Sequence, residues 1–83
     1  MNRYELICDN SILLEVSYKT REDIALYKVI KFIKKQALKN FKVCKFLMFD
    51  GAYPHMENIK EYTTIVELER VLAILRSRAI KGR

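Results

Sequence analysis

The chain has 83 residues, 51% of them hydrophobic and 31% charged, with two glycines, one proline and a formal net charge of +6. That length holds one domain spanning 1–83, that balance is globular and not disordered, and the scarcity of Gly and Pro argues against long irregular loops. The uncharged apolar run Phe46–Phe49 is far too short for a bilayer, which takes ~20 residues, and the start MNRYELICDN is broken by Glu5 and Asp9, so no signal-peptide core is present and a cytoplasmic protein is expected.

Residues 3–9, RYELICD, alternate, with Tyr4, Leu6 and Cys8 on one side and Arg3, Glu5, Ile7 and Asp9 on the other. This is the period of a strand. DNS at 9–11 is a turn-forming cluster. The alternation resumes over 12–19, with Ile12, Leu14, Val16 and Tyr18 against Leu13, Glu15, Ser17 and Lys19. Two such runs across a short polar turn make an antiparallel hairpin. TRED at 20–23 opens a helix, with Thr20 expected as its cap and the acids near its positive end. The helix is expected to reach about Asn40. Leu26, Val29, Ile30, Ile33, Ala37 and Phe41 share one face, and Lys28, Lys31, Lys35 and Lys39 line the opposite one.

KVCKFLMFDG then reads as a central strand ending at the turn Asp50-Gly51. AYPHMEN at 52–58 is a loop, since Pro54 pushes Tyr53 out of helical geometry. IKEYT at 59–63 is expected as a fourth strand paired with the third. TIVE at 64–67 repeats the cap pattern, with Glu67 at its third helical position. A second helix follows to about Ala79, with Ile65, Leu68, Val71, Leu72, Leu75 and Ala79 as its buried stripe. The residues from about 80 to 83 form a basic, fraying tail.

The order is ββαββα. It predicts an α+β domain with a four-stranded, largely antiparallel sheet and two helices packed on one face. The other sheet face is then open, with Ile7, Leu13 and one side of the third strand available to it. That is apolar enough to predict a homodimer through this face, set against the ordinary scatter of exposed aliphatics.

The charge is uneven. Residues 1–23 are acidic in balance, while Ile24–Phe49 holds seven lysines and no acid, and Arg76, Arg78, Lys81 and Arg83 close the chain. Ammonium groups along ~20 Å of helix match the spacing of phosphates. Tyr27 and Phe32 flank them and could stack on unpaired bases, at ~1–3 kcal/mol each. The plain alternative is a solvated face, because lysine is a good helix former. Arginine, the better phosphate fork, is missing from this helix. KKQALK at 34–39 is similar to the lysine-rich helix start of double-stranded-RNA-binding domains, but it falls in mid-helix without the preceding loop and in the wrong element order. KVCKFLMF occupies a strand, as the aromatic RNA-recognition strand does, but lacks its glycines. No family follows from either. Membrane binding is disfavoured because the sheet needs the helix's apolar face.

Cys8 and Cys44, without a secretion signal, read as free buried thiols. His55 is the single histidine, so no metal-ligand set forms and no cofactor is expected. His55 beside Tyr53, with Asp50 near, is the sole catalytic candidate, a loop general base for a small nuclease. The reading is a non-enzymatic binding protein for nucleic acid or an acidic protein surface. Lys28, Lys31, Lys35, Lys39 and Lys42 carry it, helped by Tyr27, Phe32, Arg76, Arg78 and Lys81. The alternatives are a stoichiometric inhibitor or adaptor, such as a phage-encoded anti-defence protein acting on a host nuclease, and third the nuclease using His55.

Overall fold

The computed structural model describes residues 1–81, with side chains through Arg78. The elements run β1 (Asn2–Cys8), β2 (Ser11–Tyr18), α1 (Glu22–Gln36), β3 (Lys42–Phe49), β4 (His55–Tyr62) and α2 (Ile65–Lys81). The four strands form one antiparallel sheet in the order β2-β1-β3-β4. The fold is therefore the ββαββα α+β arrangement that the sequence predicts. The Cα trace measures 39 × 33 × 15 Å, which leaves room for one sheet and one helical layer.

The core lies between those layers. Tyr4 and Leu6 of β1, Val43 of β3 and Tyr62 of β4 face Leu26, Val29 and Ile33 of α1 and Leu68 of α2. The two helices run antiparallel. Lys34, late in α1, meets Glu69, early in α2, whereas Tyr27, early in α1, lies under Arg76, late in α2.

The first hairpin turns on Asp9 and Asn10, both at positive φ (51° and 63°). A two-residue turn that follows the strand twist requires such angles, and Asp and Asn tolerate them best after glycine. The pairing then slips. Leu6 faces Leu14, but Ile7 faces Ile12, so Leu13 is an extra residue in β2. This bulge overturns the simple alternation at the strand's start. Ile12 lies on the open face opposite Ile7, not with Leu14, Val16 and Tyr18 in the core, and is 53% exposed.

Both ends of α1 differ from expectation. Thr20 makes no cap. The N-cap is Arg21, without a side-chain cap hydrogen bond, and Arg21 instead holds Asp23 through two bonds of 3.2 Å. Glu22 turns inward, where its carboxylate accepts from the Tyr4 hydroxyl and pairs with Lys45 at 2.6 Å. Burial, and then that carboxylate, push the Tyr4 phenol far above its ordinary range. At the other end the helix stops at Gln36, four residues before Asn40. Ala37 turns left-handed (φ 52°, ψ 44°), the Leu38 amide donates to the Ile33 carbonyl (3.1 Å), and the Ala37 amide donates to Lys34 (3.2 Å). This is a Schellman end built on alanine where glycine is usual. It places Lys39 and Phe41 after the helix rather than on it.

At α2 the capping box forms as read. The Glu67 amide donates to the Thr64 hydroxyl at 3.2 Å, and the return arm is displaced by one residue, the Glu67 carboxylate accepting from the Thr63 amide at 3.3 Å. β4 begins at His55, not Ile59, so the segment HMEN is strand rather than loop. Its backbone completes the ladder from Phe49 to Phe46, with a second slip that leaves Ile59 unpaired. Pro54 sits just before it, where a missing amide costs the ladder nothing.

Candidate anion-binding face

α1 buries Ala25, Leu26, Val29, Ile30 and Ile33. By helix geometry, Lys28, Lys31 and Lys35 then point away from the sheet, and all three are exposed. Among the described residues none of the three, nor Lys39, makes a salt bridge, whereas Lys34 reaches Glu69 at 3.3 Å. The three outward lysines, from Lys28 to Lys35, are spread over seven residue steps, ~10 Å of helix axis. Lys39, in the turn beyond, extends the row. The continuous ~20 Å line of the sequence reading is thus shorter on the helix itself.

Other residues assigned to this face are placed elsewhere. Lys42 lies on the opposite side of the molecule. It pairs across the sheet with Ile7, on the face the helices leave open, and its ammonium sits 3.2 Å from Glu61. Lys42, and then the Cys44 thiol, hold the Glu61 carboxyl below its usual range. Phe32 is half-buried and packed against the core, so it has no free ring to offer a base. Tyr27 is 44% exposed, but the Arg76 guanidinium already covers its ring at 5.4 Å. Arg76 therefore joins the α1 face through Tyr27. Arg78 is exposed but falls about 200° around α2 from Arg76, away from that contact. The helix α2 continues past the expected end at Ala79 to Lys81, so the tail does not begin at 80; the side chain of Lys81 and residues 82–83 lie outside the described residues.

The open sheet face carries charge of a different kind. Glu15, Glu5, Cys44 and Glu61 are successive partners across the four strands. Arg3 lies against this row, 2.6 Å from Glu5 and 3.7 Å from Glu15, with its guanidinium 4.9 Å from the Phe46 ring. Glu5 is only 6% exposed, and Arg3 is the cation paired with it. Cys44 is a free, buried thiol donating toward Glu61 (3.5 Å); burial first, and that carboxylate second, raise its pKa. Cys8 is also free and half-buried, and donates to the Asn40 carbonyl at 3.0 Å.

His55 opens β4 with its ring against Phe49 (5.7 Å between centres). Nδ1 faces the Tyr53 carbonyl at 3.1 Å and Nε2 faces Glu57 at 2.9 Å. Both neighbours are acceptors, so the doubly protonated ring is favoured, and Glu57 is the larger cause of a raised pKa. A general base needs one free ring nitrogen, and Asp50 is not among the groups that touch this one. Among the described residues no cluster of three or more metal-ligating side chains forms, and no helix is long and apolar enough to cross a membrane.

Sequence reasoning missed an apolar feature beside the lysines. Ile33, Leu38, Phe41 and Ile65 line a recess where α1 ends and α2 begins. Its sequence signal was hidden, because Phe41 and Ala37 continue the helical stripe in register. No family model, curated protein or solved structure matches the chain.

Proposed function

We propose that this protein is a non-catalytic, cytoplasmic binding module whose α1 face, built on Lys28, Lys31 and Lys35 with Lys39 beyond, engages an anionic macromolecule, either nucleic acid or an acidic protein surface. The observation that supports this reading is the contrast within one lysine block. Lys34, Lys42 and Lys45 are matched by carboxylates of the chain, while the outward lysines are not. Like charges one or two turns apart on a helix repel by a few tenths of a kcal/mol per pair, a cost an anionic partner removes.

The test is fluorescence anisotropy with labelled single-stranded RNA, duplex DNA and polyglutamate at two salt concentrations. Three to four lysines on duplex phosphates give a slope of log affinity on log salt of about −3 to −4, on the order of a hundredfold loss between 50 and 200 mM. Absence of binding to all three probes at the lower salt refutes the reading. One observation favours a protein among anionic partners, and with it the inhibitor or adaptor alternative. Ile24 is 42% exposed beside these lysines, and an aliphatic side chain gives a phosphate backbone nothing to hold. Self-association through the open sheet face is separately measurable by light scattering of the purified chain.

A further inference from the structure

Two apolar recesses lie side by side on the helical layer, and the lysines rim both. The first, of about 430 Å³, is lined by the apolar Ile33, Ala37, Leu38, Phe41 and Ile65, together with Thr63, Thr64 and the lysines Lys34 and Lys39. The second, of about 490 Å³, lies earlier along α1. Tyr27 and Ile30 line it, together with Lys31, Lys34 and Lys35. Lys34 borders both, and its bridge to Glu69 marks the boundary between them. Ile30 in one and Ala37 in the other are seven residues apart, a rise of ~10.5 Å. Two turns of any helix laid alongside α1 cover the same distance, which separates side chains at i and i+7. The charged groups lining the recesses are all lysines.

We propose that the two recesses form one groove that receives an acidic amphipathic helix of a partner protein. Apolar side chains at i and i+7 of that helix enter the recesses, and carboxylates beside them meet Lys31, Lys35 and Lys39. This names the partner for the α1 face and rests on the anionic-partner reading above. Helix-in-groove recognition needs both parts, apolar anchors for affinity and matched charge for register and encounter rate. A polyanion without apolar groups satisfies only the lysines, and Tyr27, the exposed ring that could stack on a base, is already covered by Arg76. A second copy of this chain is the competing occupant, since its α2 exposes Val66 and Ile74 beside Glu67 and Glu69, and a dimer in light scattering that the leucine peptide dissolves would overturn the foreign helix in favour of the chain's own α2.

The probe is a stapled, fluorescein-labelled helical peptide with leucine at i and i+7 and glutamates flanking each. Its controls are the same peptide with both leucines replaced by serine, and a single-stranded RNA. The expected result is that the leucine peptide binds, that the serine version binds at least about tenfold more weakly, and that Lys35→Glu weakens both. Leu38→Ser should remove most of the leucine advantage. Because that substitution touches the core, amide shift mapping on the unaltered protein supplies an independent readout, with shifts expected at Ile30, Ile33, Leu38 and Phe41 and none on the open sheet face. If RNA binds and the leucine peptide does not, or if the two peptides bind equally, the groove is overturned while the anionic-partner reading stands. If neither peptide binds, the groove is overturned, and if RNA, duplex DNA and polyglutamate also fail to bind, the anionic-partner reading falls with it.

Discussion

The molecule has two charged surfaces on opposite sides, and they are built by opposite rules. On the open face of the sheet, cation and carboxylate alternate. Arg3 serves Glu5 and Glu15, Lys42 serves Glu61, and the thiol of Cys44 fills the row between. On the outer face of α1, Lys28, Lys31 and Lys35 stand with no described carboxylate in reach. The sheet brings residues from four strands to within a few ångströms, so opposite charges far apart in sequence can be matched and held. A helix face is supplied by one stretch of chain, and this stretch contains no acid. Paired charge at the sheet bears on stability, and the unpaired charge at the helix is what the proposed anionic partner would meet.

The largest effect expected from that contrast is on binding. Lys28→Glu, Lys31→Glu and Lys35→Glu together should lower affinity for an anionic probe by at least about a hundredfold at low salt, while leaving the melting temperature nearly unchanged, because carboxylates at the same spacings repel one another as the ammoniums did. Lys42→Met, on the paired face, should leave binding within about twofold of the parent. An equal loss from both would dissolve the contrast.

Stability comes next. Arg3→Ala strands the Glu5 carboxylate and should cost about 2 kcal/mol in urea unfolding, less than for a fully buried pair because Arg3 itself is partly solvated. A loss under a few tenths would mean that water already solvates Glu5. A smaller effect, in the stabilising direction, is expected at the end of α1. Ala37→Gly removes a Cβ from a left-handed residue and should add about 1 kcal/mol, although glycine lowers helix propensity elsewhere. Destabilisation there would show that residue 37 is helical in solution and that Lys39 belongs to α1 after all.

The smallest effect is at His55, and it concerns a charge pair too exposed to matter much for folding. Its folded pKa is raised, so the pair contributes below the unfolded value near 6.5 and the contribution is lost as pH rises through the folded one. An NMR titration should place His55 above 6.5, and Glu57→Gln should bring it back toward that value. A midpoint indifferent to Glu57 would mean the contact is not held in solution.

Much of this was open to a reader of the chain. Leu26, Val29, Ile30 and Ile33 announce the buried face of α1, because a helix repeats every 3.6 residues and the stripe follows that period. Thr64 and Glu67 announce the start of α2, because the cap is a hydrogen-bond pattern between residues a few positions apart in sequence. Tyr4 and Leu6 announce the core side of β1. What local pattern fixed, the sequence determined: the element order, the inward faces of both helices, and the block of lysine without acid.

What depends on pairing between distant segments was decided only in three dimensions. Ile12 changes face because Leu13 bulges against Leu6 and Ile7 of the neighbouring strand. Lys42 and Lys45, three apart on a strand, part to opposite sides of the sheet, and each finds a glutamate from another element. His55 becomes strand because β3 offers it a ladder, though its own segment does not alternate. The helix stops at Ala37 with no glycine to announce it, and so makes the recess beside the lysines. A strand's partners and a helix's neighbours are set by contacts across the fold, and those contacts are not written in any single window of the chain.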